Sequence, residues 1–246
     1  LYTSDRIFKL TSEIPAFCFS LFDRRARGTR NSQAKSSEST LGFDKGKQQS
    51  KTFIKRELWY HKEYQPGGKI MNVTIFCAHR ESNDEKLLAI IRELGAYLAK
   101  HNHTLVYGAS KIGLMKEIAD AVLDNGGKVK GLGCKIYHQN NETYERLTDV
   151  TIYDTISERR TQLIQQGELY IALPGGIGTL DEITEVMELK RCAKDFPKVV
   201  FFNYDHFYET FKSFLTELDQ KGYLKENDLS LYDFPETLEE LLALIP

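Results

Sequence analysis

The 246-residue sequence is poor in cysteine, and its four cysteines form no pattern. Cys18, Cys77, Cys134 and Cys192 include no CxxC pair and stand near no histidine at zinc spacing. A structural zinc site and a dithiol redox centre therefore have no signature here, and reduced thiols are expected. Long apolar runs are also missing: none approaches the roughly 18 residues needed to cross a bilayer. The first residues, LYTSDRIFKL, lack the basic end and apolar core of a secretory signal. These absences predict a cytoplasmic protein with no membrane partner. Overall charge is small, −2, with 41% hydrophobic and 28% charged residues, as in an ordinary globular chain.

The small net charge hides an asymmetry. Residues 1–70 hold 14 Lys and Arg against 7 Asp and Glu, whereas 71–246 hold 19 against 28. Composition shifts at the same place. Residues 24–51 are polar with little apolar periodicity and bury too little surface to offset the entropy of ordering. QPGGKI (65–70) reads as a breaker, and Met71 then opens a good first strand. The expected division is a basic, flexible leader or upstream extension over 1–70 and a folded domain over 71–246. A nucleic-acid-binding arm is the functional alternative for the leader, and basic runs are more often only solvated.

From Met71 the elements alternate. Short apolar strands are predicted at 73–77, 104–108, 128–133, 147–154, 169–174 and 198–203. Helical periodicity is predicted at 84–101, 113–125, 156–166, 179–192, 205–221 and 236–245. An irregular polar link precedes the fourth strand. Such alternation argues for an α/β, Rossmann-like three-layer fold: a mainly parallel sheet covered by helices on both faces.

Residues 169–182, LYIALPGGIGTLDE, hold the strongest motif. A buried strand ends, three glycines follow within four positions, and a helix begins. Ligands of open parallel sheets bind at the carboxyl ends of strands, and a helix start offers free N–H groups and a positive dipole end. Gly175, Gly176, Ile177, Gly178 and Thr179 thus form a candidate phosphate cradle, with Thr179 as a cap and hydroxyl donor. No lysine follows Gly178, so the ATP-type loop is not met, and the first strand is followed by CAHRESND, with no glycine for a dinucleotide fingerprint.

Asp181 and Glu182 are expected in the first turn of that helix. Glu182 stands one turn above the cradle, where a carboxylate could activate water or stabilise an oxocarbenium-like state at a ribose anomeric carbon. Arg159 and Arg160 open the preceding helix about 100° apart, so one can grip phosphate while the other orients the carboxylate or the sugar.

Together these pieces resemble the cytokinin riboside 5′-monophosphate phosphoribohydrolases, a family once labelled possible lysine decarboxylases. PGGIGTLDE (174–182) is similar to the family signature P-G-G-x-G-T-x-x-E, ERR (158–160) occupies the place of M-x-x-R-K, and VYGASKIGLM (106–115) resembles Y-G-G-G-x-x-G-L-M. The resemblance implies a dimeric Rossmann-like enzyme that cleaves a nucleoside 5′-monophosphate to base and ribose 5-phosphate. It implies no metal and no organic cofactor. It places catalysis on Arg159 and Glu182, and substrate or phosphate binding on Arg160, Gly175 through Thr179, Gly108 and Met115. Arg160 for lysine, Ala109-Ser110 for two glycines, and Cys77-Ala78-His79-Arg80 for C-G-S-S depart from the pattern. His79 or Arg80 could contact the nucleotide. Cys77 reads as a core residue, and Tyr107 and Met115 as packing residues at the ligand edge. A non-hydrolytic carrier of a nucleotide or of molybdenum cofactor, built on the same loop, is the rival reading.

Overall fold

The computed structural model describes residues 69–246 except 148, 194, 226 and 227. The expected leader thus lies, but for its last two residues, outside the described residues. Seven parallel strands form one sheet in the order β4-β3-β2-β1-β5-β6-β7. In chain order these are β1 Asn72–Phe76, β2 Thr104–Tyr107, β3 Lys128–Cys134, β4 Asp149–Tyr153, β5 Leu169–Ala172, β6 Val199–Phe201 and β7 Tyr232–Asp233. The helices are α1 Glu85–Lys100, α2 Gly113–Asp124, α3 Lys135–Gln139, α4 Ile156–Gln166, α5 Ile177–Cys192, α6 Glu209–Gln220 and α7 Leu238–Ala243. No helix among the described residues is long and apolar enough to cross a membrane.

Strand side chains alternate between two cores, as the pleat requires. Val73, Ile75, Leu169 and Ile171 pack with α1, α2 and α7, while Phe76, Tyr170 and Ala172 pack with α4, α5 and Leu215 of α6. Thr74 is wholly buried in β1 and donates its hydroxyl to the Leu163 carbonyl of α4 at 3.1 Å, so a polar residue is satisfied in a buried strand. The helix α1–α2 contact depends on Gly95, where an added Cβ would stand 2.4 Å from the Ala121 Cβ. Gly95→Val is expected to destabilise the fold by about 2–3 kcal/mol through overpacking; a denaturant midpoint equal to wild type would contradict that.

Three elements differ from the sequence expectation. The polar link before β4 contains the five-residue helix α3. The two-residue strand β7, preceded by a 3-10 turn, adds a seventh strand. Helix α5 begins at Ile177, so Asp181 and Glu182 lie in its second turn, past the reach of the dipole explanation. Its apolar residues Ile183, Val186 and Met187 pack into the chain's own core.

The chain runs outward from β1 through β2 and β3 to β4, then returns to place β5 on the other side of β1. That reversal makes a topological switch between β1 and β5, at whose carboxyl edge open sheets bind ligands.

Candidate active site

A cavity of about 390 Å³ opens at that carboxyl edge. The segments after β1 (Cys77 to Arg80), after β2 (Gly108 to Ser110) and at the start of α5 (Gly176 to Thr179) contribute to its walls, with Arg159 and Glu182. The sequence motifs, far apart in the chain, therefore meet in one place.

Arg159 is set by a well-formed helix start. Thr155 caps α4 by accepting from the Glu158 amide at 3.1 Å, and the Glu158 carboxylate accepts from the Thr155 amide at 3.1 Å. One turn on, the Arg159 side chain turns inward and is buried. Its Nε donates to the Leu132 carbonyl at 2.8 Å, and its Nη1 donates to Glu182 Oε1 at 2.8 Å. The guanidinium also sits 5.9 Å from the centre of the Tyr137 ring. Gly108 lies against it, and a Cβ there would be 2.0 Å from Nη2.

Glu182 is buried with its arginine. Burial pushes its carboxyl above the usual carboxylate range, and the Arg159 charge and hydrogen bond oppose that push. If the ionised carboxylate is the working form, kcat/KM falls as pH drops through a value above 4.5, the ordinary value for this group. A kcat/KM profile with its acid limb at or below 4.5 would contradict this. Cys77 also lines the cavity, and burial, followed by the nearby Glu182 charge, pushes its thiol far up. It stays protonated and is no nucleophile.

The glycines of the loop do different jobs. Gly175 makes room for Thr179, whose Oγ1 would lie 2.1 Å from an added Cβ. Gly176 and Gly178 face open space, so the backbone there is bare to a ligand. Gly176, not Thr179, is the N-cap, and no side chain caps this end. The first-turn N–H groups of α5 are left to an incoming acceptor.

Arg160 does not join this group. Its guanidinium pairs with Asp181 and Glu185 on the outer side of α5 and does not line the cavity. Gly108 and Met115 do line it, and so do the exposed side chains of His79 and Arg80. Tyr107 is instead fully buried in the sheet. Ala109, where the family pattern has glycine, holds φ +61°, so the left-handed backbone persists without the glycine.

Sequence reasoning missed the wall built by α3 and the link behind it. Tyr137, Glu142 and Thr143 line the cavity. This strap is tied down by Lys111 N–H to the Glu142 carbonyl at 3.0 Å and Tyr144 N–H to the Ala109 carbonyl at 2.9 Å. The Tyr144 hydroxyl donates to Asp120, and Arg146 pairs with Asp120 and Asp124. Its only sequence signal was its position after a strand's carboxyl end. One other group of ligand-type side chains among the described residues, the exposed His206, Glu209 and Glu236, brings its atoms within 4.8 Å but does not line the cavity.

A parallel sheet with helices on both faces and a cavity over the switch point defines a Rossmann-like α/β protein. Within that class the chain belongs to the family described as "Possible lysine decarboxylase", whose family model matches residues 115–245. It is similar to a cytokinin riboside 5′-monophosphate phosphoribohydrolase of Arabidopsis thaliana, 28% identical over 182 residues, covering 72% of this chain and 85% of that one. A protein of the same name from Rhodococcoides fascians is 28% identical over 154 residues, covering 62% and 78%. Among solved structures, the molybdenum cofactor binding protein of Rippkaea orientalis shares the fold, with a TM-score of 0.55 at 14% identity over 72% of this chain and 96% of that one. The molybdenum cofactor carrier protein of Chlamydomonas reinhardtii does likewise, with a TM-score of 0.54 at 18% identity and the same coverage.

Proposed function

We propose that the protein hydrolyses the N-glycosidic bond of a nucleoside 5′-monophosphate, of the AMP or cytokinin riboside 5′-monophosphate type, to free base and ribose 5-phosphate. The observation that carries this reading is the buried Arg159–Glu182 pair beside a bare glycine cradle in one cavity. The names of the curated relatives support the same reaction. In this reading the catalytic unit is the domain from Met71 onward, working in the cytoplasm as a homodimer.

The phosphate rests on the N–H groups of Ile177, Gly178 and Thr179, which the start of α5 leaves free. Gly108 and Met115 bound the space for ribose and base. A water adds its oxygen to C1′ while the bond from C1′ to the base nitrogen breaks. The bonding pair leaves with the base, which takes up a proton, and the water gives a proton to Glu182. The carboxylate also faces the positive charge that develops at C1′. Arg159 holds Glu182 in place and favours its ionised form against the effect of burial.

No lysine lines the cavity among the described residues, so the amine needed for Schiff-base decarboxylation is missing from it. A carrier would gain nothing from a buried carboxylate at the cradle, and the solved carriers support only the fold. The test is incubation with AMP, other nucleoside monophosphates, adenosine and ATP, followed by chromatography. Free base from a monophosphate is the expected product. Release of phosphate alone, or of no product across the panel, would overturn the reading.

A further inference from the structure

The cavity's charges are unevenly spread. Three cationic or basic side chains line it among the described residues: His79, Arg80 and Arg159. Arg159 is committed to Glu182 and the Leu132 carbonyl. Arg160, the other arginine expected to grip phosphate, is neutralised outside by Asp181 and Glu185. Arg80 makes no ion pair among the described residues. The cradle itself supplies neutral donors and no cation.

Arg80 is also well placed. The Ala78 amide donates to the Pro174 carbonyl at 3.2 Å, which ties the segment after β1 to the loop that opens the cradle. The Met115 amide donates to the Ala78 carbonyl at 3.2 Å, which ties the same segment to α2. Gly113, at φ +65°, lets α2 start directly against Arg80: an added Cβ would stand 2.3 Å from the Arg80 carbonyl oxygen and 2.5 Å from its nitrogen. The Arg80 backbone is thus wedged, while its side chain makes no ion pair among the described residues. Across the sheet, on the β2–β3 side, the strap brings the acidic residue Glu142 to the cavity, an unfavourable neighbour for a phosphate.

We propose that Arg80 is a substrate-binding residue that grips the 5′-phosphate together with the α5 start, and that it makes this chain select phosphorylated over unphosphorylated nucleosides. The proposal rests on reading the cavity as a nucleotide site. It assigns the phosphate to the β1–β5 side and the base to the side of Tyr137 and Glu142. A guanidinium suits the task because it donates two parallel hydrogen bonds to phosphate oxygens.

The test is calorimetric binding of AMP, ribose 5-phosphate and adenosine to the full chain, in wild type, Arg80→Ala and Arg80→Lys. Wild type is expected to bind AMP more tightly than adenosine. Arg80→Ala should lose about 10–100-fold in affinity for AMP and ribose 5-phosphate, the worth of a hydrogen-bonded charge, with adenosine affinity unchanged. Arg80→Lys should recover part of the loss. An equal loss for adenosine would mark a merely structural role and overturn the proposal. So would AMP affinity within twofold of wild type in Arg80→Ala, or a wild type that does not distinguish AMP from adenosine. The ribose 5-phosphate readout is independent of turnover, because that ligand has no N-glycosidic bond to cleave. Arg80-dependent AMP binding without release of adenine would sink the hydrolase and leave this proposal standing; adenine release that ignores Arg80 would do the reverse.

Discussion

Glu182→Gln is expected to slow turnover by orders of magnitude while leaving the substrate bound. Gln keeps the shape of the side chain and an oxygen that can accept from Arg159 Nη1, now at 2.8 Å. It removes the negative charge and the site that takes the proton from water. Proton transfer by a positioned side chain contributes about 10²–10⁴-fold, so kcat should fall by that factor, with KM little changed, as when an interaction made only in the transition state is lost. Glu182→Ala is a harsher change, because the buried Arg159 then loses its hydrogen-bond acceptor as well as its counter-charge, at a cost of about 3–5 kcal/mol. Its lost activity would be mixed with lost stability. A Gln variant that turns over near the wild-type rate would remove Glu182 from the chemistry.

Gly108→Ala is expected to be nearly as damaging, although it adds one methyl group far from Glu182 in sequence. The new Cβ would lie 2.0 Å from Arg159 Nη2 and 3.2 Å from its Cζ. Arg159 cannot yield without cost, since Leu132, Glu182 and Tyr137 hold it on its other sides. Either the guanidinium moves or β2 does. A displacement near 1 Å of a positioning group can lower the rate on the order of 10²-fold. We expect kcat/KM to fall by about that much, with a lower melting temperature. Unchanged kinetics in a folded Gly108→Ala variant would show that Arg159 does not act from its observed place.

Much of the fold was legible because the elements carry strong local signals. The apolar periodicity over 84–101, 113–125 and 156–166 put α1, α2 and α4 close to their observed bounds. The start of α5 was harder, because its N-cap is a glycine with no side chain to announce it. Short elements had no periodicity to read: α3 has five residues and β7 two. In the site, the glycine loop, Arg159 and Glu182 could be named from their motifs. The fate of Arg160 could not, because it depends on how α4 lies against α5 and brings it to Asp181 and Glu185. Nor could Glu142 and Tyr137, which reach the cavity only because backbone hydrogen bonds fold a polar link over it.

The most direct test of the central claim is to run the reaction on AMP in ¹⁸O-labelled water and weigh the products. Cleavage at C1′ puts one labelled oxygen into ribose 5-phosphate and releases unlabelled adenine in equal amount. Label in inorganic phosphate with adenosine as the other product, or no label in ribose 5-phosphate, would contradict the account.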